Sequence, residues 1–466
     1  MINKVIDWSL RNRLFVLLFS LVLALAGIYA LRDMPLDAIP DLSDAQVIVK
    51  TSYPGQSPDI VEDQVTYPLT SAFLSVPGST AVRGFSMYGE SYVYVIFRDG
   101  TDPYWARARV LEYLSQIASR LPQGVTPALG PDASGVGWVF EYALVDRNHK
   151  YDQDQLRAVQ DYYLKYELQS LPGVAEVASV GGIVRQFQIE IDPNRLAAYH
   201  ITTEQVAKAV RDSNSAGGGA VMEMGRSEFM LRARNYLRSL ADFGKIPVSP
   251  GKDGIPVLLS DIAHIGIGGE ARRGVTDLDG EGEAPGGIVV MRYGSNALDT
   301  VQAVKQRLAE IKSGLPEGVE VVVTYDRSGL IRDAVDTLQR KLVEESIVVA
   351  LVCIVFLLHL RSSLVAIMTL PIGILAAFIV MRLQGVTANI MSLGGIAIAI
   401  GAMIDAAIVM IENMHKHLER GGENAKRWQA ARASAHEVGP ALFFSLLVIT
   451  VSFLPVFALT GQEGKL

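Results

Sequence analysis

The sequence predicts a polytopic α-helical membrane protein that carries a large α+β portion outside the bilayer. Three observations lead there. Apolar stretches at 14–31, 346–360, 364–383, 391–413 and 439–459 approach or reach the ~20 residues a helix needs to cross a hydrocarbon core. Between the first two lies a block, 32–345, with no second span and with strand and helix patterns in alternation. Half of the residues are hydrophobic and 20% are charged, too apolar for an ordinary soluble chain and too polar for one wholly in lipid.

Residues 1–13 are short and basic, with Lys4, Arg11 and Arg13. Basic residues before the first span and acids beyond it put the N-terminus in the cytoplasm. A signal peptide is the rival, since Ala24-Leu25-Ala26 resembles a cleavage site. The apolar run continues past it, so 14–31 is read as a retained first span. Beyond it, Gln46–Ser52 reads as a strand. Ser57–Val76 reads as a helix, with Ser57 as N-cap and Pro58 at its first position. Ser79–Tyr88 and Tyr92–Phe97 follow as strands, and Asp102 caps a helix to about Leu121.

The pattern then repeats, with Trp138–Val145 as strand and Asp154–Ser170 as helix. Val76-Pro77-Gly78 is echoed by Leu171-Pro172-Gly173, and Leu121-Pro122-Gln123-Gly124-Val125 by Leu315-Pro316-Glu317-Gly318-Val319. The second pair stands much farther apart than the first. Two similar split β-α-β units of ferredoxin-like type explain this, the second interrupted by an insertion at 183–271. The insertion contains Gly217-Gly218-Gly219 and a protruding arm around Met222–Arg226, suited to touching a partner subunit. Val301–Ser313 is the last helix of the block and Val319–Thr324 its last strand.

A charged linker helix, 331–345, leads into the second span. The third is kinked at Pro371, which lacks an N–H. After the fourth, 414–438 carries Lys416, Arg420, Lys426, Arg427 and Arg432. That density of positive charge marks the cytoplasmic side and suggests an amphipathic helix on the membrane surface. The fifth span follows, with Pro440 at its start, and 460–466 returns outside.

Chemistry concentrates in the fourth span, MSLGGIAIAIGAMIDAAIVMIEN. Asp405 and Glu412 are seven residues apart, close to two helical turns, so the two carboxylates share a face. A charge at that depth is costly and must meet protein or water. Gly394, Gly395, Gly401 and nearby alanines would let neighbouring helices pack closely around it. Asp405 is therefore read as a proton carrier and Glu412 as an accessory carrier or gate. The bland alternative is a structural Asp satisfied by a neighbouring helix. No GxxxxGK[ST] loop occurs, and Gly461-Gln462-Glu463-Gly464-Lys465 has the wrong spacing, so ion-gradient coupling replaces nucleotide hydrolysis.

The net charge of −7 speaks against a nucleic-acid partner. The single cysteine, Cys353, permits no internal disulfide and no thiolate cluster. Soft-metal contacts would have to come from methionine. Six of the 13 methionines fall within 368–414, and Met391, Met403 and Met410 are candidate transient contacts for Cu(I) or Ag(I). Composition alone favours Met as a lipid-compatible filler. His415-Lys416-His417 reads as a solvated helix end.

Taken together, these residues resemble the N-terminal half of a resistance–nodulation–division transporter of the heavy-metal efflux branch. Met34-Pro35-Leu36-Asp37-Ala38-Ile39-Pro40-Asp41, Tyr53-Pro54-Gly55 with Val61-Glu62, and the fourth span carry the resemblance. Divalent-cation members show Asp-Phe-Gly, Asp-Gly-Ala and Val-Glu-Asn in that span. Here the same places read Ala399-Ile400-Gly401, Asp405-Ala406-Ala407 and Ile411-Glu412-Asn413, similar to the monovalent copper and silver subgroup.

The resemblance implies a homotrimer in the bacterial inner membrane, working with a periplasmic adaptor and an outer-membrane channel. It implies proton antiport rather than enzymatic chemistry, with no cofactor beyond the transported Cu(I)/Ag(I). On that map 32–135 is one periplasmic porter subdomain, 136–182 with 272–330 the other, and 183–271 the docking subdomain. Family members have about twelve spans and two outer blocks. The expectation is thus an N-terminal half, without the second-half metal site and the basic partners of the fourth-span acid. A non-transporting half-pump scaffold, or a multidrug or divalent-cation exporter of the same superfamily, are the alternatives.

Overall fold

The computed structural model describes residues 2–37, 39–215, 219–230, 236–251, 254–272, 274–357, 360–420 and 427–459. Gly217 and Gly218 of the glycine run, Ala38, and the tail 460–466 lie outside the described residues.

The basic N-terminus forms a helix of its own, Ile2–Arg11, with a strongly one-sided distribution of apolar residues. Asn12 breaks it with a non-helical backbone, and its side-chain amide donates to the Trp8 carbonyl at 3.0 Å. The first span, Arg13–Asp33, follows at once. It crosses the helix Leu360–Gln384 where Gly27 offers no side chain to Leu375.

The outer block is built on two four-stranded antiparallel sheets. In the first, the order is Ser79–Met87, Glu90–Phe97, Gln46–Ser52, Pro127–Leu129. In the second it is Val319–Asp326, Trp138–Asp146, Gly286–Met291, Val174–Val180. Numbering the strands of each unit one to four along the chain, both sheets read 4-1-3-2. That is the order a β-α-β-β-α-β chain adopts when both helices cover one face. Alternation fixes which face is buried: Val47, Val49, Val93 and Val95 point inward under Leu69, Phe73, Val110 and Leu114. In the second unit Phe140, Tyr142, Leu144 and Val289 do the same under Leu164, Leu168, Val301 and Val304.

The echoed sequences occupy equivalent turns. Gly78 and Gly173 have φ of 80° and 82°, and Gly124 and Gly318 have 82° and 89°. A side chain at those angles is strained, so each echo preserves a left-handed turn. The first helix of each unit also carries a π-helical turn, at Glu62–Thr66 and Gln160–Leu164. Ser57 precedes the first of these helices without capping its backbone, whereas Asp102 accepts from the Tyr104 amide at 3.1 Å.

Between strands Val174–Val180 and Gly286–Met291 the chain makes a separate small body. Arg185–Ile191 pairs with Ala263–Gly269, and Leu196, Val206, Phe243, Leu259 and Ile262 form its own core. From it projects a hairpin, Val221–Met224 with Ser227–Met230, every residue of which is exposed.

Toward the membrane three expectations change. The linker 331–345 and second span are one uninterrupted helix, Arg327–Leu357, because no breaker separates the charged half from the apolar half. Residues 358 and 359 of the expected second span lie outside the described ones, and its last residue, Leu360, already begins the next helix. The segment 414–438 is not a separate surface helix. The fourth-span helix continues to Arg420 and the next begins at Arg427, so Lys416 and Arg420 fall in the last turns of one helix and Arg427 and Arg432 in the first turns of the other; Lys426 lies outside the described residues. Pro440 sits inside that next helix, Arg427–Ser452, which tolerates the loss of one N–H and gives way to a 3-10 turn at Leu454–Ala458. Among the described residues three helices are long and apolar enough to cross a membrane, Arg13–Asp33, Ile390–Arg420 and Trp428–Ala458. Met368–Gln384 is a shorter apolar stretch.

Candidate functional site

The helix that carries the two acids, Ile390–Arg420, starts on a well-made cap. The Asn389 side-chain oxygen accepts from the Met391 and Ser392 amides, each at 3.0 Å, and the Ser392 hydroxyl accepts from the Asn389 amide at 2.9 Å. From there one stripe packs inward. Leu393, Ile396 and Ile400 are buried against Leu370 and Phe378, with Met403 and Ile404 beside them. Ile411 continues the stripe two turns further on. These spacings of three and four residues make a single helical face.

Asp405 lies on the other side. At ~100° per residue it sits about 140° from Ile400, and it is exposed. Among the described residues no hydrogen bond or ion pair reaches it. Among the described residues, nothing lies within 4 Å of where a Cβ would stand at Gly394, Gly395 or Gly401, predicted to admit close neighbours. Ile398, on the same side, is 73% exposed. Among the described residues, the close neighbours expected around Asp405 are not found. The third-span helix contacts the opposite stripe, because the large aliphatic residues are there and the small ones are not.

Glu412 shares the open side. It pairs with Lys416 at 2.7 Å, one turn nearer the cytoplasmic end, and both side chains are about half exposed. The candidate methionines do not converge. Met403 packs its sulfur over Gly373, 2.5 Å from where a Cβ would stand. Met410 lies on nearly the same face, half-buried. Met391 is 52% exposed and, twelve residues before Met403, is turned roughly 120° from it. Among the described residues no group of three or more His, Cys, Asp or Glu side chains could hold a metal.

The helix ends remote from the sheets carry a polar network invisible in the linear pattern. His417 Nε2 lies 2.6 Å from Glu437, which also accepts from the Asn413 amide at 3.2 Å. These contacts hold the two arms of the helical hairpin together. Arg432 grips Asp7 of the N-terminal helix through two hydrogen bonds of 2.6 and 2.9 Å, and His436 Nε2 is 3.0 Å from the same carboxylate. The Arg432 hydrogen bond, against a smaller opposing effect of burial, holds Asp7 below the usual carboxylate range. The Arg13 guanidinium stacks 3.4 Å over Trp428. On the outer side Arg382 bonds Asp33 at 2.6 Å and covers the Tyr29 ring. Partners 425 and 349 positions apart leave no local signal.

Helices long and apolar enough to cross a membrane, together with a repeated split β-α-β block, define a membrane protein with a large extramembrane portion. Comparison with known proteins is specific. Residues 5–466 match the AcrB/AcrD/AcrF family. The chain is 57% identical to the cation efflux system protein CusA of Escherichia coli (strain K12), over all of this chain and 45% of that protein. It is 34% identical to the cobalt-zinc-cadmium resistance protein CzcA of Cupriavidus metallidurans, again over all of this chain and 45% of the relative. The crystal structure of a heavy metal efflux pump superposes with a TM-score of 0.85 at 32% identity, covering 99% of this chain and 45% of that one. The chain belongs to the AcrB/AcrD/AcrF family of resistance–nodulation–division transporters, and it spans about 45% of the length of the relatives it matches.

Proposed function

We propose that this chain is the N-terminal portion of a proton-driven exporter of monovalent heavy-metal cations, Cu(I) and Ag(I). It works as the inner-membrane subunit of a tripartite pump, a homotrimer joined to a periplasmic adaptor and an outer-membrane channel. One observation carries the reading: two carboxylates lie on one open, glycine-bordered face of a membrane helix. Protonation removes the charge of Asp405, so each protonation state favours a different packing of that face. The glycines leave room for a further helix to approach closely, and the remainder of a relative-length chain would supply it. Glu412, tied to Lys416, guards the cytoplasmic end. Ala399 in place of an acid, and an identity of only 34% to the cobalt-zinc-cadmium resistance protein CzcA, support monovalent over divalent cations. Met403 and Met410 offer thioether sulfur along the helix, and Met391 serves a different side. The docking and porter assignments of the outer block belong to the same reading.

The test is resistance to copper and silver in a sensitive strain carrying the pump with Asp405→Asn, which keeps the shape and removes the titration. Resistance should be lost while membrane insertion stays normal; retained resistance removes the proton role. Cation uptake by vesicles containing residues 1–466 alone separates a working exporter from a non-transporting scaffold, and none is expected.

A further inference from the structure

A buried ion pair joins the membrane helices to the second sheet, and the function above does not use it. Arg327 is 2% exposed, and its Nε stands 2.9 Å from Oδ1 of Asp37. Its Nη1 donates to the carbonyl of Val136, just ahead of strand Trp138–Asp146. Arg327 is also the first residue after strand Val319–Asp326 and opens the helix Arg327–Leu357. One guanidinium thus contacts the turn that leads into one strand of the second sheet, while its own backbone follows the adjoining strand and heads the second span.

Asp37 leads the other way. Its backbone amide donates to the Ala388 carbonyl at 3.0 Å, and the Ala388 amide donates to the Pro35 carbonyl at 3.1 Å. Leu36 and Ala388 form a parallel bridge. Ala388 is 1% exposed and precedes Asn389, the residue that caps the fourth-span helix. A chain of short contacts therefore runs from that cap, through Ala388 and Asp37, to Arg327 and the second sheet. Lys305 adds a brace at the far end, donating to the Ser328 hydroxyl at 3.1 Å and pairing with Asp326.

We propose that Asp37 and Arg327 are positioning residues: they form a strut through which movement of the fourth span reaches the second split sheet and is withheld from the first. This deepens, and rests on, the reading of Asp405 as the proton carrier. Every link is a hydrogen bond or ion pair already at close contact, so a displacement at one end breaks a link or is passed on. The first sheet has no equivalent connection among the described contacts. A guanidinium suits the task because two of its nitrogens serve different partners, Nη1 hydrogen-bonded to Val136 and Nε in ion-pair contact with Asp37. A change at the fourth span and a response of the second sheet are thereby tied to one connected set of contacts.

The test is a distance measurement in the protein reconstituted in lipid nanodiscs. Spin labels at Phe85 and Val323, exposed on the first and second sheets, are placed in a Cys353→Ser background. Spectra are compared across a series of buffers from acid to alkaline. The wild-type inter-sheet distance should shift with pH, and the shift should vanish in Asp405→Asn and in Arg327→Met. Asp37→Asn, which removes the charge and keeps the volume, carries the same expectation if Arg327→Met fails to insert. Exchange of the pair, Asp37→Arg with Arg327→Asp, should restore part of the shift, which a merely stabilising role would not require. A shift that persists in both Arg327→Met and Asp37→Asn overturns the strut and leaves the proton reading intact. A wild-type distance insensitive to pH overturns both.

Discussion

Placing alanine at Gly27 and at Gly373 separates two kinds of close contact in the membrane region. At Gly27 a Cβ would stand 2.4 Å from the Leu375 Cβ and 2.8 Å from the Leu375 carbonyl oxygen. Non-bonded carbons prefer about 3.5–4.0 Å, so the first and third spans must part by roughly 1 Å. Neither contacted atom can rotate away. Overpacking of this kind costs ~1–3 kcal/mol, against a gain of about 1 kcal/mol for alanine over glycine in a helix. The expected net change for Gly27→Ala is a loss of about 1 kcal/mol, reaching ~2 kcal/mol if the backbone resists. At Gly373 the new methyl would meet the Met403 sulfur at 2.5 Å and its terminal carbon at 3.1 Å. That is the end of a flexible side chain, which swings aside cheaply. Gly373→Ala should therefore be neutral or stabilise by up to ~1 kcal/mol. Thermal unfolding of the two variants in the same detergent, followed by loss of helical signal, ranks them directly. Equal stabilities, or a more stable Gly27→Ala, would refute the claim that backbone contact rather than distance decides the cost.

Two further outcomes follow from the second sheet unit. Tyr142 donates to the Gln160 side-chain oxygen at 2.9 Å in a site where Gln160 is fully buried, and burial pushes the phenol up, keeping it protonated. Tyr142→Phe strands that oxygen and should cost about 1–3 kcal/mol in denaturant unfolding; no loss would mean the pair is idle. Asp146 sits at the end of the same strand. Burial raises its carboxyl, but amide hydrogen bonds from Tyr151, Asn148 and Lys150 outweigh it and hold the group below the usual range. Because the folded value is the lower one, the stabilisation is complete above the unfolded value of ~3.9 and disappears as pH falls through the folded one. Asp146→Asn should accordingly be less stable than wild type at neutral pH and converge with it in acid; a constant gap across that range contradicts the linkage.

Much of this architecture is written in local pattern. Alternation at Val47, Val49, Val93 and Val95 marks the first sheet, because neighbours on a strand face opposite sides and only one side is dry. The echoed Pro-Gly turns announce a repeat, since a left-handed backbone angle demands glycine wherever it recurs. Lengths of apolar sequence reveal the spans because lipid leaves the backbone no partner but itself. Even the shared face of Asp405 and Glu412 needs nothing beyond 3.6 residues per turn. Helix ends are less legible. Arg327–Leu357 and Ile390–Arg420 run past the apolar boundaries, as nothing in either sequence stops them.

Tertiary structure alone decided which side of the fourth span is covered. Bulk at Leu393, Ile396 and Ile400 draws the third span to that stripe and leaves Asp405 on the glycine-lined one. It also decided that Met403 rests on Gly373 while Met391 faces elsewhere, and that Arg327 meets Asp37. Periodicity is a property of adjacent residues, so the sequence by itself discloses faces and turns. Contacts between residues hundreds of positions apart depend on how the faces are stacked, and that is settled by packing of the whole chain.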